Sequence, residues 1–133
     1  MLRAVADTHA IVWFLYDDSR LSSAASNVFE QATAAGDQVG FSAITLAELI
    51  YLVEKARIPG HALTRLFDAL DQPAAVLVEL PFDRRIAAKM PEIDRRQVPD
   101  LPDRIIAATA LAHAVPLISR DRKIRLTSLE TIW

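Results

Sequence analysis

Four acidic residues could give this sequence a chemical function. Two of them follow short apolar runs, and two lie near the starts of helical segments. Asp7 follows the apolar run LRAVA, and Asp121 follows the run VPLIS after one intervening residue. Glu48 and Asp103 lie near the starts of two segments with helical periodicity. The chain has no cysteine, and its three histidines are far apart in sequence. Oxygen ligands of this kind favour Mg²⁺ or Mn²⁺ over zinc.

The elements that must position these acids alternate along the chain. Short apolar runs typical of strands occur at LRAVA, QVGFS, AAVLVEL, VPLISR and SLETIW, and segments with helical periodicity lie between them. The order β, α, β, α, β, α, β, β predicts an α/β fold with a parallel sheet covered by helices on both faces. Ligands bind such sheets outside the carboxyl ends of the strands. We therefore expect the four carboxylates to converge at that edge.

Two of the helical segments have a predicted buried face. The faces consist of every third or fourth apolar residue: Leu46, Leu49, Ile50 and Val53 in the first helix, and Leu63, Leu66, Phe67 and Leu70 in the second. A later helix is expected to have Pro102 at its first position, where proline is favoured.

Each acid also has a local explanation that needs no active site. Glu48 could complete a capping box with Thr45, and Asp103 could be a favourable anion at a helix N-terminus. Asp7 could cap the helix that follows it, and Asp121 could be a turn residue. These alternatives stay open residue by residue, but they do not explain why all four acids fall at one edge of the predicted sheet.

Length and composition indicate one compact domain, residues 1–133. The chain is 52% hydrophobic with only 3 glycines, and its net charge is −2. No apolar run approaches the roughly 18 residues of a membrane span, and Asp7 interrupts any signal-like segment, so we expect a cytoplasmic protein. Residues 84–125 hold 10 Lys and Arg against 5 Asp and Glu, whereas residues 1–83 hold 5 against 11. The second part could therefore supply phosphate contacts, and the alternative is a solvated surface with ordinary charge.

Four blocks of the sequence together resemble the motifs of a known family. ADTHAIVWFL, SAITLAEL, DLPDRIIAATALA and LISRDRKI are similar, in order and spacing, to the motif blocks of PIN-domain ribonucleases, in particular the VapC-like toxins of toxin-antitoxin pairs. The resemblance runs from residue 5 to residue 133. It implies an endoribonuclease in which Asp7, Glu48, Asp103 and Asp121 hold one or two Mg²⁺ or Mn²⁺ ions, and in which a metal-activated water cleaves an RNA phosphodiester.

The resemblance also implies roles for neighbouring residues. Thr8 fits the DTH opening of the subgroup, and Ser119 stands where the family has a hydroxyl residue that could orient the last acid. Asp100 is either an additional acid close to the metal ligands or a helix cap, because this chain has D-L-P-D-R where the subgroup has D-P-F-D-R. The arginines expected to hold the RNA backbone, because they flank the acids, are Arg104, Arg120 and Arg122.

Partners follow from the same resemblance. VapC-like toxins pair as homodimers and are held by a small antitoxin protein, so both partners are expected here. The alternative is a PIN-fold module that has lost cleavage and serves only in binding or assembly. The presence of all four acids argues against that alternative, since a silent module has no need of them.

Overall fold

The computed structural model describes all 133 residues and contains one five-stranded parallel sheet with the strand order β3-β2-β1-β4-β5. The strands are β1 (Leu2–Ala6), β2 (Gln38–Ser42), β3 (Leu77–Leu80), β4 (Leu117–Ile118) and β5 (Thr131–Ile132). The central strand β1 is bordered by β2 and β4, so the chain runs outward to one edge and then returns to the other side. The predicted parallel α/β architecture is confirmed, although the last two strands are only two residues long.

Seven α-helices connect or follow these strands. They are α1 (Thr8–Leu15), α2 (Ser23–Ala35), α3 (Ile44–Glu54), α4 (Ala62–Leu70), α5 (Arg84–Lys89), α6 (Leu101–Ala112) and α7 (Arg122–Arg125), and a short 3₁₀ helix spans Met90–Glu92. The one-turn helix α7 was not predicted from the sequence, because four residues are too few to show a helical period. None of the helices has the length and apolar character needed to cross a membrane.

The helices cover both faces of the sheet and form two hydrophobic cores. Alternate residues of β1 point to opposite faces: Ala4 and Ala6 join the core beneath α1 to α4, and Val5 joins the core beneath α5 to α7. All three side chains have no exposed surface. A sheet buried on both faces requires strands without polar alternation, which is the pattern that the sequence shows.

The predicted buried faces of α3 and α4 are partly wrong. The buried residues of α3 are Thr45, Leu49 and Leu52, whereas Ile50 is 48% exposed. In α4, Phe67 is 45% exposed while Leu66 is fully buried. The buried face of α3 includes Thr45, a polar residue whose hydroxyl forms a buried hydrogen bond, described below. Hydrophobic periodicity cannot detect a buried polar position of this kind.

The start of α6 also differs from the prediction. Pro102 occupies the second helical position and Leu101 the first, because Asp100 is the N-cap and its side chain accepts a hydrogen bond from the backbone of Asp103. Proline is tolerated at either position, since neither N–H has a partner within the helix.

Four helices end in the same backbone turn, although only one has glycine there. A residue at the C-cap, Gly36, or directly after it, Asp17, Ala56 and Ala114, has a positive φ of 72°, 48°, 54° and 54° respectively. At the end of α6, the Ala114 N–H donates to Leu111 O at 3.1 Å and the Val115 N–H donates to Ala110 O at 3.2 Å. This pair of bonds defines a Schellman motif, whose left-handed position favours glycine.

Ala114→Gly should therefore stabilise the protein. Glycine removes the steric cost of the left-handed conformation, and we expect a gain of about 0.5 to 1 kcal/mol in the free energy of unfolding. Ala34→Gly, an exposed substitution inside α2, should instead cost about 1 kcal/mol because it is a helical position. Urea unfolding of the two variants measures both. If the two changes shifted stability in the same direction, the backbone assignment at Ala114 would be wrong.

Candidate active site

The four predicted acids line one cavity at the carboxyl edge of the sheet. The cavity has a volume of about 520 Å³, and its walls contain five carboxylates, two arginines and several aromatic or hydroxyl residues. The lining residues are Asp7, Thr8, His9, Trp13, Glu48, Tyr51, Leu52, Arg57, Asp100, Asp103, Arg120 and Asp121. The parallel topology thus brings together segments that are up to 114 residues apart in sequence, from Asp7 to Asp121.

Asp7 enters the cavity from the central strand. Its backbone N–H donates to Ile118 O of β4 at 3.0 Å, which fixes it at the end of β1. Its Oδ1 accepts a hydrogen bond of 2.9 Å from the Ala10 N–H, so Asp7 is also the N-cap of α1. The cap explanation is therefore confirmed for this residue, and it is compatible with a role in the cavity, because one carboxylate has acceptor capacity left over.

Glu48 is held by a hydroxyl network that joins α1 to α3. The Thr8 hydroxyl donates to Glu48 Oε1 at 2.5 Å and lies 2.9 Å from the Thr45 hydroxyl. Since the Thr8 proton is used on Glu48, Thr45 must be the donor to Thr8. The capping-box explanation of Glu48 is wrong: α3 is capped at Ala43, without a side-chain cap bond, and Thr45 is buried inside the helix.

The acids of α6 and β4 are each attached to a helix start. The Asp103 N–H donates to Asp100 Oδ2 at 3.1 Å, which makes Asp100 a cap that also lines the cavity. Asp121 caps α7 through a bond of 2.8 Å from the Lys123 N–H. The buried Ser119 hydroxyl accepts a bond of 3.0 Å from the Asp121 N–H, and this bond fixes the backbone of that acid.

Burial and mutual repulsion raise the pKa of three carboxyls in the cavity. The pKa of Asp103 rises to about 7, first because of burial and then because of the charges on Asp100, Asp121, Glu48 and Asp7. Burial is likewise the main cause of the raised pKa of Glu48, which the Thr8 hydrogen bond partly offsets.

The pKa of Asp7 is raised by burial, against lowering contributions from the Ser119 hydroxyl and the Ala10 N–H. A group of carboxyls with raised pKa values is typical of functional sites. Such a group would be relieved by a cation, because a cation favours the charged form of every carboxyl around it.

Two of the three predicted phosphate-binding arginines lie outside the cavity. Arg104 points to the opposite side of α6, where its Nη2 donates to Met90 O at 3.0 Å and to Ile93 O at 3.2 Å. Arg122 lies on a separate surface beside Arg125 and Leu126. Adjacent helical residues point about 100° apart, so an arginine next to an acid in sequence need not share its cavity.

The cavity also contains residues that the sequence reasoning missed as site residues. Arg57, Tyr51 and Leu52 belong to the end of α3 or the turn after it, and Trp13 belongs to α1. Tyr51 and Leu52 stand three and four residues after Glu48, so the helical period starting from that acid could have found them. Arg57 has no such signal, because it lies beyond the last residue of the helix.

The carboxylates do not form a ready-made metal cage. No three His, Asp or Glu side chains are arranged to hold a metal ion as they stand. The carboxylates share a cavity large enough for water molecules, and their donor atoms are hard oxygens, beside one imidazole, that of His9.

Comparison with known proteins agrees with the fold and with the four sequence blocks. Residues 4–128 match the PIN domain. The chain is 30% identical over 125 residues to Ribonuclease VapC22 of Mycobacterium tuberculosis, covering 94% of this chain and 92% of the relative.

Two solved structures share the fold. The chain superposes on a structure of VapBC2 from Rickettsia felis bound to a promoter DNA fragment, with a TM-score of 0.70, 21% identity and coverage of 98% of this chain and 97% of the other. It also superposes on a toxin-antitoxin complex from Klebsiella pneumoniae with a TM-score of 0.66, 26% identity and coverage of 98% and 96%. With a PIN domain over nearly its whole length and a VapC protein among its relatives, the chain belongs to the PIN-domain family as a VapC-like member.

Proposed function

We propose that the protein is a metal-dependent endoribonuclease and the toxin of a toxin-antitoxin pair. The observation that carries this proposal is the single cavity in which Asp7, Glu48, Asp103 and Asp121 meet, with the pKa of Asp103 raised to about 7. The ribonuclease relative and the toxin-antitoxin complex with the same fold support the choice of RNA as substrate and of an antitoxin as partner.

The residues of the cavity fit Mg²⁺ or Mn²⁺ by their chemistry. Asp7, Glu48, Asp103 and Asp121 would hold the ion, and the absence of nitrogen or sulfur ligands from this set favours a hard cation. Mg²⁺ keeps several of its waters and needs only one or two direct carboxylates, so a tight cage is not required. When bound, the metal acts as a Lewis acid that polarises the phosphate and acidifies water.

The chain's own residues would orient the acids and the substrate. Thr8 keeps the Glu48 carboxylate directed into the cavity, and Ser119 fixes the backbone from which Asp121 projects. Asp100 holds the first turn of α6 and so the position of Asp103. No Ser-His-Asp arrangement is needed, because hydrolysis by water requires no covalent nucleophile from the protein.

The proposed partners are an antitoxin and a second copy of this chain, and the proposed place of action is the cytoplasm. The fold relatives include a toxin-antitoxin complex, which supports a small protein partner. Exposed apolar side chains on α3 and α4, including Ile50, Tyr51 and Phe67, offer surface for such contacts.

The pKa of Asp103 predicts how pH affects stability without metal. The folded carboxyl holds its proton up to about pH 7, whereas the unfolded one loses it near pH 4, so the free energy of unfolding falls as pH rises between these values. Asp103→Asn should remove this loss. In EDTA at pH 8 we expect the variant to be more stable than the parent by about 1 to 2 kcal/mol, allowing for solvent screening, and at pH 4 to be no more stable.

Thermal unfolding at the two pH values, with EDTA or Mg²⁺, measures this difference. Mg²⁺ at pH 8 should raise the midpoint of the parent more than that of Asp103→Asn, because the variant has lost one ligand. Asp68→Asn, an exposed substitution on α4, is the matched control and should show neither effect. An equal Mg²⁺ shift in all three proteins would count against the proposed metal site.

Cleavage of total tRNA and ribosomal RNA by the purified chain tests the reaction itself. We expect discrete products with Mg²⁺ or Mn²⁺ and none with EDTA. Asp7→Asn should reduce turnover by at least about 100-fold, a loss of about 2.7 kcal/mol of transition-state stabilisation, with little effect on RNA affinity.

Asp68→Asn again serves as the control and should cleave at the parental rate. Products that persist at full yield in EDTA, or in the Asp7→Asn variant, would exclude the proposed mechanism. Neither cleavage nor metal binding would favour the alternative of a silent binding module.

A further inference from the structure

Two arginines line the carboxylate cavity without pairing with any of its acids. The cavity contains Arg57 and Arg120, both on its exposed rim. The ion pairs of the chain all involve other residues, and neither guanidinium forms a hydrogen bond within the protein. Guanidinium groups beside five carboxylates would be expected to form ion pairs. Something must therefore keep these two away from the acids.

Arg120 is held by an aromatic ring. Its guanidinium carbon lies 4.6 Å from the centre of the Trp13 ring, at the distance of a cation–π contact. Trp13 is only 4% exposed and packs against Trp133, with ring centroids 5.7 Å apart, so the ring is a fixed platform. Arg120 is thus in contact with the Trp13 ring and forms no ion pair with Asp121, its neighbour in sequence.

The backbone of Arg57 is fixed by the turn at the end of α3. The Arg57 N–H donates to Leu52 O and the Ala56 N–H donates to Val53 O, both at 2.9 Å, and Ala56 has a φ of 54°. These bonds form a Schellman motif at the end of α3. Because Leu52 itself lines the cavity, the motif ties the position of Arg57 to the cavity wall.

The two arginines reach the cavity from different parts of the fold. Arg57 belongs to the turn after α3, and Arg120 directly follows β4. A strand of nucleic acid in the cavity would therefore meet two guanidinium groups within the same walls as the acids. The planar guanidinium matches phosphate oxygens in a bidentate manner.

We propose that Arg57 and Arg120 bind phosphates of the RNA next to the cleaved one, and that Trp13 is a positioning residue that keeps Arg120 off the carboxylates. This inference rests on the proposed ribonuclease function. The two cations offset the repulsion that the acids exert on an anionic substrate. Arg20, which lies 5.2 Å from the same Trp13 ring, is not part of this pair because it is already bound to Asp18.

RNA binding without cleavage tests the proposal. We would measure the anisotropy of a fluorescein-labelled single-stranded RNA of mixed sequence, using Asp7→Asn as the parent chain, with Mg²⁺, from 50 to 250 mM salt. Adding Arg57→Ala or Arg120→Ala should weaken binding several-fold and make the slope of log affinity against log salt shallower by about 0.7 for each lost phosphate contact.

Arg122→Ala is the matched control, because this exposed arginine follows Asp121 but lies outside the cavity. It should leave the salt slope unchanged. If Arg57→Ala and Arg120→Ala also left the slope unchanged, or if Arg122→Ala changed it equally, the proposal would be overturned.

The role of Trp13 is tested by a double-mutant cycle. Trp13→Leu should reduce the salt slope as Arg120→Ala does, and the two changes combined should reduce it no further. A general loss of packing would lower thermal stability without this non-additive effect on the slope. Trp13→Phe, which keeps an aromatic face, should retain most of the parental slope. Additive effects of Trp13→Leu and Arg120→Ala would exclude the positioning role.

Tryptophan fluorescence gives a second measurement of the same contact. The chain has two tryptophans: Trp13 lines the cavity, and Trp133 packs against Trp13. RNA should change their emission in the Asp7→Asn parent, and Arg120→Ala should abolish most of that change. An undiminished change in Arg120→Ala would overturn the assignment of Arg120.

Failure of this proposal and failure of the proposed function can be told apart. Binding is measured in a chain that is not expected to cleave, whereas the cleavage assay uses the parent with Asp7 intact. Metal-dependent cleavage together with unaltered binding by Arg57→Ala and Arg120→Ala would overturn only the phosphate contacts. Absence of cleavage would instead reject the ribonuclease function.

Discussion

Repulsion among carboxylates at one edge of a parallel sheet is the constraint on which the rest of this structure depends. The topology delivers an acid from each of several segments to the same place, and burial makes each negative charge more costly. Three of these acids, Asp7, Asp100 and Asp121, are helix caps whose oxygens accept backbone N–H bonds. The caps therefore fix the direction of the charges and reduce part of their cost.

The acids of the cavity differ in whether a hydrogen-bond donor stabilises their negative charge. The capped carboxylates have a backbone donor, although burial still raises the pKa of one of them, Asp7. Asp103 has no donor to its side chain, and its pKa is raised to about 7. Glu48 stands between these cases, since the Thr8 hydroxyl is its donor. Helix α1 therefore contacts two acids of the cavity. Asp7 is its N-cap, and its Thr8 hydroxyl, itself bonded to Thr45, holds Glu48 of α3. The unpaired negative charges lower the free energy of unfolding, and a cation bound in the cavity would raise it again. Such a loss of stability is common at functional sites.

The sequence predicted that the acids lie together at this edge, because that prediction used only the ends of strands. The topology of a parallel sheet fixes where those ends lie. Asp7 and Asp121 could be placed from the apolar runs before them, and the parallel order of strands required those ends to meet. Side-chain direction was less predictable. Arg104 and Arg122 adjoin predicted acids in sequence but point elsewhere, because adjacent helical positions diverge by about 100°. Arg57 could not be predicted, since its place depends on a turn that Ala56 makes without glycine.

An anionic cavity that binds an anionic substrate needs basic side chains nearby. These side chains must not form ion pairs with the carboxylates of the cavity. Free guanidinium groups at the rim would pair with the carboxylates and exclude a metal ion from the same oxygens. A ring that is fixed by the core gives Arg120 an alternative contact of comparable strength to an exposed ion pair, about 0.5 to 1 kcal/mol. Because the contact is this weak, phosphate can displace it. The burial of Trp13 therefore has a consequence for binding, since a mobile ring would not separate Arg120 from the acids.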